Sequence, residues 1–92
     1  MGRRTALVTR EQAYILLNDI VRDVLGCENL TLGDAMRAED IAGWDSLVQI
    51  GVLAAAEIRF GVEIRAAEAE AIASIGDLVD LILEKAPRLP AA

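Results

Sequence analysis

A chain of 92 residues is one small domain, able to bury about 60–65% of its unfolded surface in a single core. Apolar residues make up 54% of it and aromatics only 3%, a balance that favours helices over a sheet. A net charge of −6 argues against nucleic-acid and anionic-membrane binding, and having no His and one Cys excludes a His-based triad, a Cys/His metal site and an internal disulfide.

The opening "MGRRTALVTR" carries Arg3 and Arg4, but Ala6-Leu7-Val8 is too short for the core of a signal peptide. A myristoylation pattern needs Ser or Thr where Ala6 stands. No apolar run reaches membrane-spanning length, so a soluble, cytoplasmic protein is expected. Residues 1–8 read as a flexible N-terminus.

Thr9 with Gln12 forms a capping-box pattern, and Ala13, Leu16, Leu17, Ile20, Val21, Val24 and Leu25 follow at helical spacing. The spacing predicts a first helix over 10–25, stopped by Gly26. Cys27 comes next and is expected to be a small buried hydrophobe in a reducing compartment. From Cys27 to Asp45 no long period holds, although Thr31 and Asp34 are placed to cap one short turn through Met36. Leu30, Leu32, Met36 and Ile41 should pin this long connection to the core, which marks it as functional.

A second helix is expected from Ser46 to Phe60, with Gly61 ending it. Residues 62–66 read as extended and 67–71 as a short third helix. Ser74 and Asp77 form another capping pair, opening a last helix through Lys85 before Pro87 stops it. The predicted fold is therefore all-α: a small four-helix bundle with a long loop after helix one and a short third helix. Residues 9–86 form the domain, and 87–92 a frayed tail.

Two features concern function. Ser46 with Gln49 is itself a capping-box pattern, and Asp45 is an alternative cap, so both residues have a purely structural reading. Yet they follow Gly43 and Trp44 at the exit of the long loop, where a helix start favours a negative group. Ser46 has no general base in the chain, so it cannot act as a nucleophile unaided and an enzyme is not expected. The second feature is helix two, where only Gln49, Glu57 and Arg59 are strongly polar. At about 100° per residue, Leu47, Ile50, Gly51, Ala54 and Ile58 share one arc, opposite Val52, Leu53, Ala56 and Phe60. So small a bundle cannot cover every side, and one apolar arc must face outward.

The stretch "GWDSLVQIGVLAAAEIRFGVEI", with "IASIGDLVDLI" further on, resembles the modification site of carrier proteins that hold substrates on a phosphopantetheine arm. The resemblance runs over about residues 9 to 86 and places the modified serine at Ser46 and its neighbouring aspartate at Asp45. It implies a covalent 4′-phosphopantetheine cofactor on Ser46, with Asp45 as a cation or transferase contact and no resident metal. Its partners would be a phosphopantetheinyl transferase, an acyl-loading ligase or acyltransferase, and a ketosynthase or tailoring enzyme, meeting a monomeric carrier. They would dock on Trp44, Leu47, Val48, Ala54 and Ile58, with Glu68 and Glu70 steering the approach. Fatty-acid carriers tend to place acids where Val48, Gly51 and Ile58 stand here, whereas Trp-Asp-Ser-Leu resembles freestanding carriers of polyketide and related natural-product pathways. A peptidyl or aminoacyl carrier is the alternative within the family. A helical interaction module with Ser46 as a mere cap is the alternative outside it.

Overall fold

A computed structural model describes residues 8–86. Among them the helices are α1 (Arg10–Leu25), α2 (Ser46–Phe60), α3 (Ala66–Glu70) and α4 (Ile75–Lys85), with a 3-10 turn at Ala38–Asp40. The architecture is the expected four-helix bundle with one long loop. Arg3, Arg4 and Ala6, together with the tail from Pro87, lie outside the described residues, whereas Val8 is half-buried against the core.

The first helix begins as its sequence dictates. Thr9 Oγ1 accepts the Gln12 amide proton at 3.0 Å, and Gln12 Oε1 accepts that of Thr9 at 2.9 Å. Ala13, Leu17, Ile20 and Val21 then form one buried stripe. This stripe packs on α2 through Val52, Ala56 and Phe60, and on α4 through Ile75, Leu78, Val79 and Ile82. Burying each large side chain contributes about 1.5–3 kcal/mol relative to leaving it in water. Leu32 and Ile41 from the loop complete the core.

The loop is pinned, as its apolar residues suggested, but its polar residues play other parts. Asn18 Oδ1 accepts the Leu32 amide proton at 2.8 Å, and the Ile75 amide donates to the Met36 carbonyl at 2.8 Å. Thr31 and Asp34 cap no helical turn: Arg22 donates to the Thr31 hydroxyl, and Asp34 accepts from Arg10 and Tyr14. The 3-10 turn carries a weak signal in sequence, Asp40 lying three residues after the Arg37 amide that donates to its carboxylate at 3.0 Å.

Two more expectations change. The short third helix occupies 66–70, one residue earlier than expected, because Glu68 reaches back to the Arg65 amide at 2.9 Å. Cys27 is exposed, not buried. Its amide donates to the Arg22 carbonyl at 3.0 Å, closing the helix end beyond the left-handed Gly26, and the chain turns outward there.

Candidate functional site

The site is built on the start of α2. Gly43 has φ of 85°, a conformation a side chain rarely adopts, and the turn it permits lets the Trp44 amide donate to the Ile41 carbonyl at 3.2 Å. The buried Ile41 holds that turn against the core, so Trp44 folds back beside α2 and the chain enters the helix at Asp45.

Asp45 is the cap. Its Oδ1 accepts the Val48 amide proton at 2.9 Å, and its carbonyl accepts that of Gln49 at 2.9 Å. The Ser46–Gln49 capping box does not form, because Gln49 Oε1 instead accepts the Trp44 indole N–H at 2.8 Å. Ser46 is therefore the first helical residue, and its side chain is exposed. Among the described residues its hydroxyl makes no hydrogen bond. A serine needed only as a cap would have its oxygen on a helix amide; this one has not.

The helix ends as Gly61 takes a left-handed conformation, and between its ends α2 divides into three faces. Val52, Ala56 and Phe60 are buried. Val48 is half-buried against the core and Gly51 turns toward α1, where a Cβ would lie 3.4 Å from Val24 Cγ1. Neither residue therefore belongs to the outward face expected of them. That face consists of Leu47, Ile50 and Ile58, which are 76%, 64% and 79% exposed, with Ala54 among them. Ile50 belongs with this group although only its place on the helical wheel pointed to it. Ser46 sits on the same arc, at its N-terminal end.

The outward face carries almost no free charge. Glu57, its one acid, turns its carboxylate to the Ile64 amide at 2.7 Å. At the C-terminal end Arg59 pairs with Asp19 of α1 at 3.2 Å. The two acids expected to steer partners differ from each other. Glu70 is exposed, whereas Glu68 is half-buried and paired with Lys85 at 2.9 Å. Trp44 is likewise half-buried, with its indole N–H committed to Gln49, and lines the shallow groove that holds Ser46.

Among the described residues no cluster of three or more His, Cys, Asp or Glu could hold a metal ion, and no helix is long and apolar enough to cross a membrane.

A family model described as the phosphopantetheine attachment site matches residues 16–82. An acyl carrier protein from Thermotoga maritima is 28% identical over 79 residues, spanning 86% of this chain and 98% of that protein. The solution NMR structure of holo acyl carrier protein from Geobacter metallireducens aligns with a TM-score of 0.75 at 27% identity, covering 79% of this chain and 84% of that one.

Proposed function

The chain belongs to the phosphopantetheine-attachment family of acyl carrier proteins, and we propose that Ser46 is its point of attachment. The observation that carries this reading is the exposed Ser46 hydroxyl beside a cap that Asp45 supplies. A serine in this position is accessible to a modifying enzyme, and blocking its oxygen breaks no bond of the fold. The arm, once attached, supplies a terminal thiol that carries an acyl group as a thioester.

Attachment requires a phosphopantetheinyl transferase, since this chain has no base beside Ser46. The Ser46 oxygen bonds to the phosphorus bearing the pantetheine arm, the diphosphate bond of coenzyme A breaks, and adenosine 3′,5′-bisphosphate leaves. The serine proton passes to the transferase. The α2 N-terminus favours the phosphodiester, and Asp45, with only Oδ1 used by its cap bond, contacts the cation that assists transfer.

The cargo enzymes dock on Leu47, Ile50, Ala54 and Ile58, which continue from Ser46 along one face. The uncharged character of that face supports a carrier of polyketide or related natural-product biosynthesis over one that meets strongly basic partners. Its partners are then an acyl-loading ligase or acyltransferase and a ketosynthase or tailoring enzyme, meeting a cytoplasmic monomer. The protein itself catalyses nothing.

Intact mass after incubation with coenzyme A, magnesium and a broad-specificity transferase tests the assignment. Wild type should gain one phosphopantetheine and Ser46→Ala none. No gain on wild type, or an equal gain on the variant, overturns it.

A further inference from the structure

The start of α2 can be built in two ways from the same residues. Asp and Ser are helix caps of similar strength, so residue type alone does not choose between Asp45 and Ser46. In the structure Asp45 is the cap: Val48 donates its amide proton to Asp45 Oδ1 at 2.9 Å, and Gln49 donates its own to the Asp45 carbonyl at 2.9 Å. The rival start lies one residue later. There the Ser46 hydroxyl would accept the Gln49 amide proton and Gln49 Oε1 would accept that of Ser46, the reciprocal bonds of a capping box. Both bonds need Gln49, and its oxygen is engaged elsewhere. The Trp44 indole N–H donates to Gln49 Oε1 at 2.8 Å.

We infer that the Trp44–Gln49 bond is a latch that keeps the Ser46 hydroxyl free for modification. The inference rests on Ser46 being the attachment point. With the latch closed, the observed start has three hydrogen bonds, donated by Trp44, Val48 and Gln49, against two in the rival. Without the indole N–H each start has two, and the rival becomes populated. In the rival the Ser46 oxygen is held on a backbone amide and turned into the helix end, away from the phosphorus of coenzyme A. The half-buried indole N–H itself needs an acceptor, so the latch is favoured from its own side as well. The turn at left-handed Gly43, closed by the Trp44 amide on the Ile41 carbonyl at 3.2 Å, places the indole within reach of Gln49. Trp44 and Gln49 are positioning residues: they act on Ser46 through the helix cap.

Trp44→Phe keeps an aromatic ring and removes the donor. Loading from coenzyme A and magnesium by a broad-specificity transferase should then show a KM for the carrier raised about twofold or more at unchanged kcat, because only the Asp45-capped fraction is competent. In the same variant the Ser46 Cα and Cβ chemical shifts should move from helical toward extended values. Adding Gln49→Leu removes half of the rival capping box. Trp44→Phe/Gln49→Leu should therefore bring KM and the Ser46 shifts most of the way back to wild type, a rescue that loss of a mere packing contact would not give. The wild type carries one tryptophan, and its indole proton should exchange with water far more slowly than that of free tryptophan. An indole proton that exchanges as fast as the free one, Ser46 shifts unmoved in Trp44→Phe, or a KM defect that Gln49→Leu does not relieve overturns the latch while leaving attachment at Ser46 intact. Failure of the wild type to load overturns both.

Discussion

Asp45 Oδ1 holds the Val48 amide at 2.9 Å, and this one bond relieves Ser46 of any structural duty at the helix start. The two neighbours should therefore respond oppositely to truncation. Asp45→Ala should cost about 1 kcal/mol of stability in urea denaturation, the usual loss for a removed cap. Ser46→Ala should change stability by less than about 0.5 kcal/mol while abolishing loading. A larger loss from Ser46→Ala than from Asp45→Ala would show that the serine oxygen, not the aspartate, caps α2.

Docking on an uncharged face should be insensitive to salt. Surface attraction is screened as the Debye length falls from about 10 Å at 0.1 M to 3 Å at 1 M, whereas apolar burial persists. Ile58, 79% exposed, should act as an anchor, and Ile58→Glu should slow transfer to the cognate enzyme by about tenfold or more with the fold kept. Glu70→Gln should matter less than about twofold, through the on-rate alone. Glu68→Gln is the poorer probe of steering, because it also breaks the pair with Lys85. Steady-state transfer at low and high salt decides between apolar docking and charge attraction.

Tyr14 offers a spectroscopic test of the clasp that joins the loop to α1 and α4. Arg10 donates to Asp34 at 2.8 Å and to Asp80 at 2.6 Å, and Tyr14 donates its phenol proton to Asp34. Partial burial first, and the bond to Asp34 second, push the Tyr14 phenol up to about 12. A group raised in the folded state stabilises fully below its unfolded value near 10, and that contribution is lost as the pH climbs toward 12. Tyr14 is the one tyrosine of the chain, so the phenolate absorbance can be followed directly. Its midpoint should fall toward 10 in Asp34→Asn.

The same clasp sets an acid limit. Hydrogen bonds from Arg10, and then from Tyr14, hold the Asp34 carboxyl below the ordinary carboxylate range. Glu68 is lowered likewise, first by the Arg65 amide and then by Lys85. The stability they contribute is present above the unfolded values and is lost as pH falls through the lowered ones. Wild-type stability should decline with acid below about pH 4, and Asp34→Asn should make that decline shallower. An unchanged acid slope in the variant would mean that Asp34 is not linked to folding.

At Gly76 the loop backbone lies close against the start of α4. A Cβ there would lie 2.9 Å from the Asp34 carbonyl oxygen and 3.2 Å from its Cα, both backbone atoms that cannot simply rotate away. Gly76→Ala should destabilise by about 1–3 kcal/mol, although alanine is the better helix former. It should also weaken the bond from the Gly76 amide to the Asp34 carbonyl, now 3.0 Å, which amide exchange would reveal.

Cys27 should react with a thiol reagent in the native protein, since its side chain is exposed. Cys27→Ser should still accept phosphopantetheine. Slow labelling of the folded chain would indicate that the turn after Gly26 buries the thiol.

Much of the architecture is local and could be read from the sequence. The 3.6-residue period of α1, the cap at Thr9 and the glycines after Leu25 and Phe60 depend on neighbours within a turn of helix, and α1 and α2 begin and end where these signals lie. The Asp45-Ser46 pair was equally legible as a helix start, but its division of labour was not. Both side chains can cap a helix, and only the turn through Gly43 decides which oxygen meets the Val48 amide. Helix α2 is apolar on nearly every side, so its period could not say which arc faces water. Packing against α1 decided that, turning Val48 and Gly51 inward and leaving Leu47, Ile50 and Ile58 outside. The bond from Arg10 to Asp80 spans 70 positions and leaves no periodic trace. Helix starts and stops are set by backbone groups a few residues apart; which faces are covered, and which charges meet, depends on how the finished helices pack.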